Sequence, residues 1–115
     1  MSTSDRRVVA LLRQVVAWLV ARDFVAVEAR SRGVQLSAEL MRQAVEEYGR
    51  TLVMPPDEAF LDIDAIAAAN SDGRIWSIRF DLWTQEEGRS DLSLECNVVI
   101  DNGTLDIEVD NIHAL

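Results

Sequence analysis

The sequence predicts an α+β domain in which N-terminal helices pack on one face of a four-stranded antiparallel meander sheet. Three observations carry that prediction. Apolar residues recur at helical spacing up to about residue 49, they alternate with polar residues from about residue 60, and three turn signals divide the alternating half. The 115 residues are read as one domain, 1–115, with helices over about 4–49 and sheet over about 60–113, long enough to bury a core without staples.

Val8, Leu12, Val15 and Leu19 recur at helical spacing, with Leu11, Val16 and Trp18 widening the stripe. Ser4 or Asp5 is placed to cap this helix. Arg6-Arg7 ahead of an apolar run invites a signal-peptide reading. Against it, Arg13-Gln14 interrupts the run and no small-residue cleavage site follows before Asp23. The run is also too short and too charged to span a membrane. Asp23 is expected to cap a short second helix through Phe24, Val27 and Ala29 that ends near Gly33. Ser37 is expected to cap a third from Ala38 to about Tyr48, with Leu36 stapling against Met41 and Gly49 terminating it. Its stripe is Leu40, Ala44 and Tyr48, flanked by Met41 and Val45. Pro55-Pro56 enforces extended chain and marks the crossover to the sheet.

Asp72-Gly73, Glu86-Glu87-Gly88 and Asn102-Gly103 are hairpin turn signals. Between them lie the inward sets: Leu61, Ile63, Ala65 and Ala67; Trp76, Ile78, Phe80 and Leu82; Leu92, Leu94, Cys96, Val98 and Ile100; Leu105, Ile107 and Val109. Turn lengths set Val98 opposite Ile107, Cys96 opposite Val109, Phe80 opposite Leu94, Leu82 opposite Leu92 and Ile63 opposite Leu82. Every apolar set then lands on one face, which a one-residue slip would reverse.

The other face carries Asp62, Asp64, Arg79, Asp81, Trp83, Ser93, Glu95, Asn97, Asp106, Glu108 and Asp110. In this register Arg79 faces Glu95, but Asp64 faces Asp81 and Glu95 faces Asp110. Such like-charge pairs are unfavourable by about 0.2–1 kcal/mol each. Two readings of the face stand: an outer surface screened by water and salt, or a docking surface for something cationic.

Net charge is −9 and unevenly spread. Residues 1–50 hold eight Arg against six acids, and residues 51–115 hold three Arg against fourteen acids. An acidic chain with no basic cluster on its sheet argues against nucleic-acid binding. Cys96 is the single cysteine, so no internal disulfide forms and a reducing compartment, the cytoplasm, is expected. His113 is the single histidine, which excludes a histidine cluster within one chain and reads as a terminal strand residue. There is no phosphate-binding glycine loop. Carboxylates at period two on a flat face seldom enclose a hard cation, so no metal and no cofactor are expected. Trp83 amid those acids suits an interface anchor.

The segment Leu82-Trp83-Thr84-Gln85-Glu86-Glu87-Gly88-Arg89-Ser90-Asp91-Leu92, followed by Glu108-Val109-Asp110-Asn111-Ile112-His113, resembles an uncharacterised family of small bacterial proteins. The order of helices and meander is similar to the nuclear-transport-factor-2-like (cystatin-like) superfamily. That resemblance implies a pocket between helices and sheet, where superfamily enzymes use Asp, Tyr or His. Here the inward sheet positions are apolar apart from Cys96, so no catalytic residue carries over.

Small acidic bacterial proteins of this kind resemble immunity proteins, which neutralise basic toxin nucleases. The expectation is therefore a non-enzymatic protein that binds a basic protein partner through Asp64, Asp81, Trp83, Glu95, Glu108 and Asp110. The alternative is a small-ligand or enzymatic pocket at Trp18, Tyr48, Trp76 and Phe80, drawing polar groups from Tyr48 or Arg42. Homodimerisation through the outer face is a third possibility, made costly by its like charges.

Overall fold

The computed structural model describes residues 2–3, 5–32, 35–61 and 63–114. A short strand β1 (Ser2–Thr3) precedes the helices α1 (Arg6–Val20), α2 (Phe24–Arg30) and α3 (Ala38–Tyr48). Then come β2 (Leu52–Val53), a 3-10 turn (Asp57–Phe60), and the strands β3 (Ile63–Ala67), β4 (Ile75–Thr84), β5 (Gly88–Asp101) and β6 (Thr104–Ala114). The sheet is antiparallel in the order β1-β3-β4-β5-β6, with β2 also pairing β4. The four long strands form the expected meander, and the two additions are dipeptides too short to leave a periodic signal.

Side-chain caps start the helices where the sequence places them. Asp5 accepts from the Arg7 backbone N–H (2.9 Å), Asp23 from Ala26 (3.2 Å) and Ser37 from Leu40 (3.2 Å). The other cap candidate, Ser4, and the expected helix end at Gly33 lie outside the described residues. Gly49 closes α3 at φ 73°, a conformation that costs a side-chain-bearing residue strain. Helix α1 buries Val8, Leu12, Val15, Val16 and Leu19. In α3 the buried face is centred on Met41 and Val45, and Leu40 is 49% exposed, so the helix is rotated relative to the expected stripe.

Beneath the helices, Ile78, Phe80, Leu82, Leu94, Cys96, Val98, Ile107 and Val109 are all buried. Phe60 stacks on Phe80 with ring centroids 4.9 Å apart. Leu61, expected in the inward set, is 71% exposed, because the chain is still leaving the 3-10 turn there.

The register is as expected at Val98–Ile107, Cys96–Val109, Phe80–Leu94 and Arg79–Glu95. It departs at three places. The 68–74 connection is longer than a two-residue turn, with Ala68 N–H bonded to Ile75 O and Ser71 Oγ to Ala68 O. This slides β3 by two residues, so Asp64 faces Arg79 instead of Asp81. An even slip keeps every side chain on its face. Between Asp81 and Trp83 the β4–β5 ladder shifts, and Ser90 Oγ fills the gap: it donates to Leu82 O (2.7 Å) and accepts from Leu92 N–H (3.1 Å). Leu82 and Leu92 are therefore not paired. A bulge in β6 puts Asn111, not Asp110, opposite Glu95 and returns Ile112 to the core opposite Leu94.

Acids of the hairpin motif close the fold. Glu86 accepts from Thr51 N–H (2.9 Å) and Thr51 Oγ1 (3.1 Å), while Glu87 accepts from Tyr48 Oη (2.9 Å) and Thr84 Oγ1 (3.0 Å). They tie the β4–β5 turn to the end of α3. At the far edge, Ser31 bridges to Ile107 and its hydroxyl accepts from Val109 N–H (3.0 Å), covering part of the β6 edge.

Candidate partner-binding face

The strands alternate, so residues between the core positions emerge on the face away from the helices. Asp64, Asp81, Trp83, Glu95, Glu108 and Asp110 all stand there, with Asp64 exposed and the other five half-buried. Asp62 lies outside the described residues. Ser93, on the same face between Asp81 and His113, is fully buried, and its hydroxyl has no hydrogen-bond partner among the described residues.

Neither like-charge pair read from the turn lengths is formed. Arg79 instead lies in register between Asp64 on one side and Glu95 on the other. Arg89 Nε is 4.0 Å from Asp81, Arg32 Nε is 3.8 Å from Glu108, and Arg30 Nη1 is 3.8 Å from Asp106. His113 Nε2 contacts Glu95. These are long or solvent-exposed contacts, individually worth about 0–1 kcal/mol. Asp110 instead accepts from the neutral Asn97 amide (2.9 Å), which in turn takes a bond from Ser77 Oγ (2.8 Å). Partial burial, and then the charges of Glu108 and Glu95, raise the Asp110 carboxyl above its ordinary range.

The face is not flat. Strand β3 is in register with β4 through Asp64–Arg79, and β2 through Val53–Trp83. Between those two pairs a recess of about 370 Å³ opens, lined by Glu58, Ala59, Ile63, Asp64, Arg79, Phe80, Asp81, Trp83 and Arg89. The Trp83 ring lies over Gly88, where an added Cβ would stand 3.7 Å from Cζ3. Glu58, Arg89 and His113 were not among the residues expected on this face. Glu58 belongs to a 3-10 turn with no alternation to reveal it, and Arg89 pairs with Trp83 only because the β4–β5 ladder shifts. His113 reaches the face only because the β6 bulge restores the alternation.

Trp18, Tyr48 and Trp76 are half-buried and Phe80 is buried. Phe80 lies in the core and also borders the recess, Trp76 Nε1 donates to Gly73 O (2.9 Å), and Tyr48 is bound to Glu87. Arg42 is held by Glu39 and Glu46 along α3. Among the described residues no group of three or more His, Cys, Asp and Glu side chains is arranged to hold a metal ion. No helix among them is long and apolar enough to cross a membrane.

Comparison with curated proteins and with solved structures gives no match. A family model does match, over residues 16–115, which include the whole meander and its hairpin motif; the chain belongs to the family described as domain of unknown function DUF7668.

Proposed function

We propose that this chain is a non-enzymatic binding protein whose acidic sheet face takes a basic protein partner, with the recess at Asp64, Asp81 and Trp83 receiving a lysine or arginine side chain. In its most concrete form it is an immunity protein that neutralises a basic toxin nuclease in the cytoplasm. The observation that carries the reading is the recess itself: three acids, Glu58, Asp64 and Asp81, line it with Trp83 and outnumber its two arginines, Arg79 and Arg89. A cation laid on Trp83 gains from the ring quadrupole and from the carboxylates together. Arg89 Nε stands 4.0 Å from Asp81, and Arg79 lies in register beside Asp64. Complementary charge accelerates association and rejects acidic competitors more than it raises raw affinity.

The test is capture. Immobilised wild-type chain and the double variant Asp81→Lys, Asp110→Lys are offered the same source lysate, and the bound proteins are identified. A basic protein held by the wild type, released by salt and lost in a double variant that still unfolds cooperatively supports the proposal. Undiminished capture by the double variant overturns it.

A further inference from the structure

A second surface, on the helical layer and independent of the acidic face, has its own chemistry. The solvent side of α1 and the segment from Met54 to Leu61 enclose an open groove of about 670 Å³. Ala10 and Ala17 leave α1 low along this side, and Met54 and Leu61 stand as an opposing apolar wall, 42% and 71% exposed. Met54 and Leu61 are two of the six large apolar side chains exposed among the described residues, and they meet in this one groove.

The two charged side chains that line it are both arginines, while the acids of the facing segment, Asp57 and Glu58, stand outside the lining. Helix α1 contains no acid, and Arg6 and Arg13 both line the groove. Arg13 lies over the Phe60 ring (4.4 Å) and bonds Asp57 (2.9 Å), which pins the turn to the helix and satisfies the nearby acid. Arg6 is exposed and has no ion-pair partner among the described residues. From Arg6 to Ala17 is about 16 Å along the helix axis, roughly three turns.

We infer that this groove docks an amphipathic helix whose apolar stripe is flanked by Glu or Asp. The groove is open along its length, so it would leave a small ligand half in water. A helix laid beside α1 puts side chains at i, i+4 and i+7 between Ala10, Ala17 and Leu61 while its flanking acids meet Arg6, Arg13 being already bonded to Asp57.

The experiment uses two labelled 14-residue peptides with Leu at i, i+4, i+7 and i+11. One carries Glu on either side of the Leu stripe and its twin carries Lys there; binding is read by fluorescence anisotropy. The Glu peptide should bind saturably and at least about tenfold more tightly than the twin. Leu61→Asp and Arg6→Glu, at exposed positions outside the core, should each weaken it about tenfold or more, whereas Asp81→Lys should leave it unchanged. Equal binding of both peptides, no binding, or a silent Leu61→Asp would overturn the inference. So would dodecanoate binding where the Glu peptide fails, which assigns a small amphiphile. Dimers in sedimentation that Leu61→Asp dissolves would also overturn it, assigning a second copy.

Discussion

Replacing Asp110 by Asn should make the protein more stable at neutral pH while weakening partner capture. The native carboxyl is raised above its unfolded value by burial and then by Glu108 and Glu95. The native state therefore binds the proton more tightly than the unfolded chain, whose aspartates titrate near about 3.9. Between those two values stability falls as pH rises, and above the native value the cost is fully present. The amide carries no charge, and its carbonyl oxygen can still accept from Asn97, whose bond to Asp110 is 2.9 Å. Relief of the carboxylate's partial desolvation and then of repulsion by Glu108 and Glu95, discounted for solvent exposure, gives a gain of about 0.5 kcal/mol. For a chain of this size that is a rise in Tm of roughly 2–3 °C. Thermal unfolding followed by circular dichroism at about pH 7 and about pH 3 measures it. The gain should fade at the lower pH and shrink with added salt, which screens charges over about 8–10 Å. A variant less stable than wild type at neutral pH, or equally improved at both pH values, would refute the electrostatic account of this position. A gain in stability with a loss of capture is what a charged cluster kept for binding should give.

Two further outcomes follow from the core and the ladder shift. Ser90→Ala removes the hydroxyl that bridges Leu82 O and Leu92 N–H inside the protein, and should cost about 1–3 kcal/mol in urea unfolding with an unchanged slope; a loss within error would mean the shifted ladder finds other partners. Cys96 is 2% exposed and burial pushes its thiol up to about 12, so at about pH 8 a disulfide reagent should react only as fast as the protein opens. Prompt stoichiometric labelling without denaturant would contradict a buried, inward-facing thiol.

The faces of the sheet were legible because alternation is insensitive to an even slip: β3 moved by two residues and Asp64 kept its face. What the slip changed was the neighbour, Arg79 in place of Asp81, and with it the electrostatics. The β6 bulge was not read from the sequence, which set Glu95 opposite Asp110, although a trace of it is there. The apolar step from Val109 to Ile112 is three residues where alternation demands two, so one extra residue must be absorbed. The recess was not legible, since it depends on where β2 stops and where a four-residue 3-10 turn places Glu58. Segments that short carry no period. The hairpin motif showed the converse: its two glutamates look like further acidic surface, yet they bind Thr51 and Tyr48 and hold the turn to the helices.

Whether the acidic face holds cations at a defined place can be measured without the natural partner. Titrating an isotope-labelled sample with a short arginine-rich peptide and mapping backbone and indole N–H shifts locates the contact residue by residue. The account predicts saturable shifts centred on Asp64, Asp81 and the Trp83 indole, extending to Glu95, Glu108 and Asp110 and suppressed in Asp81→Lys. Shifts spread evenly over every acidic residue, or centred on the helical layer, would contradict it.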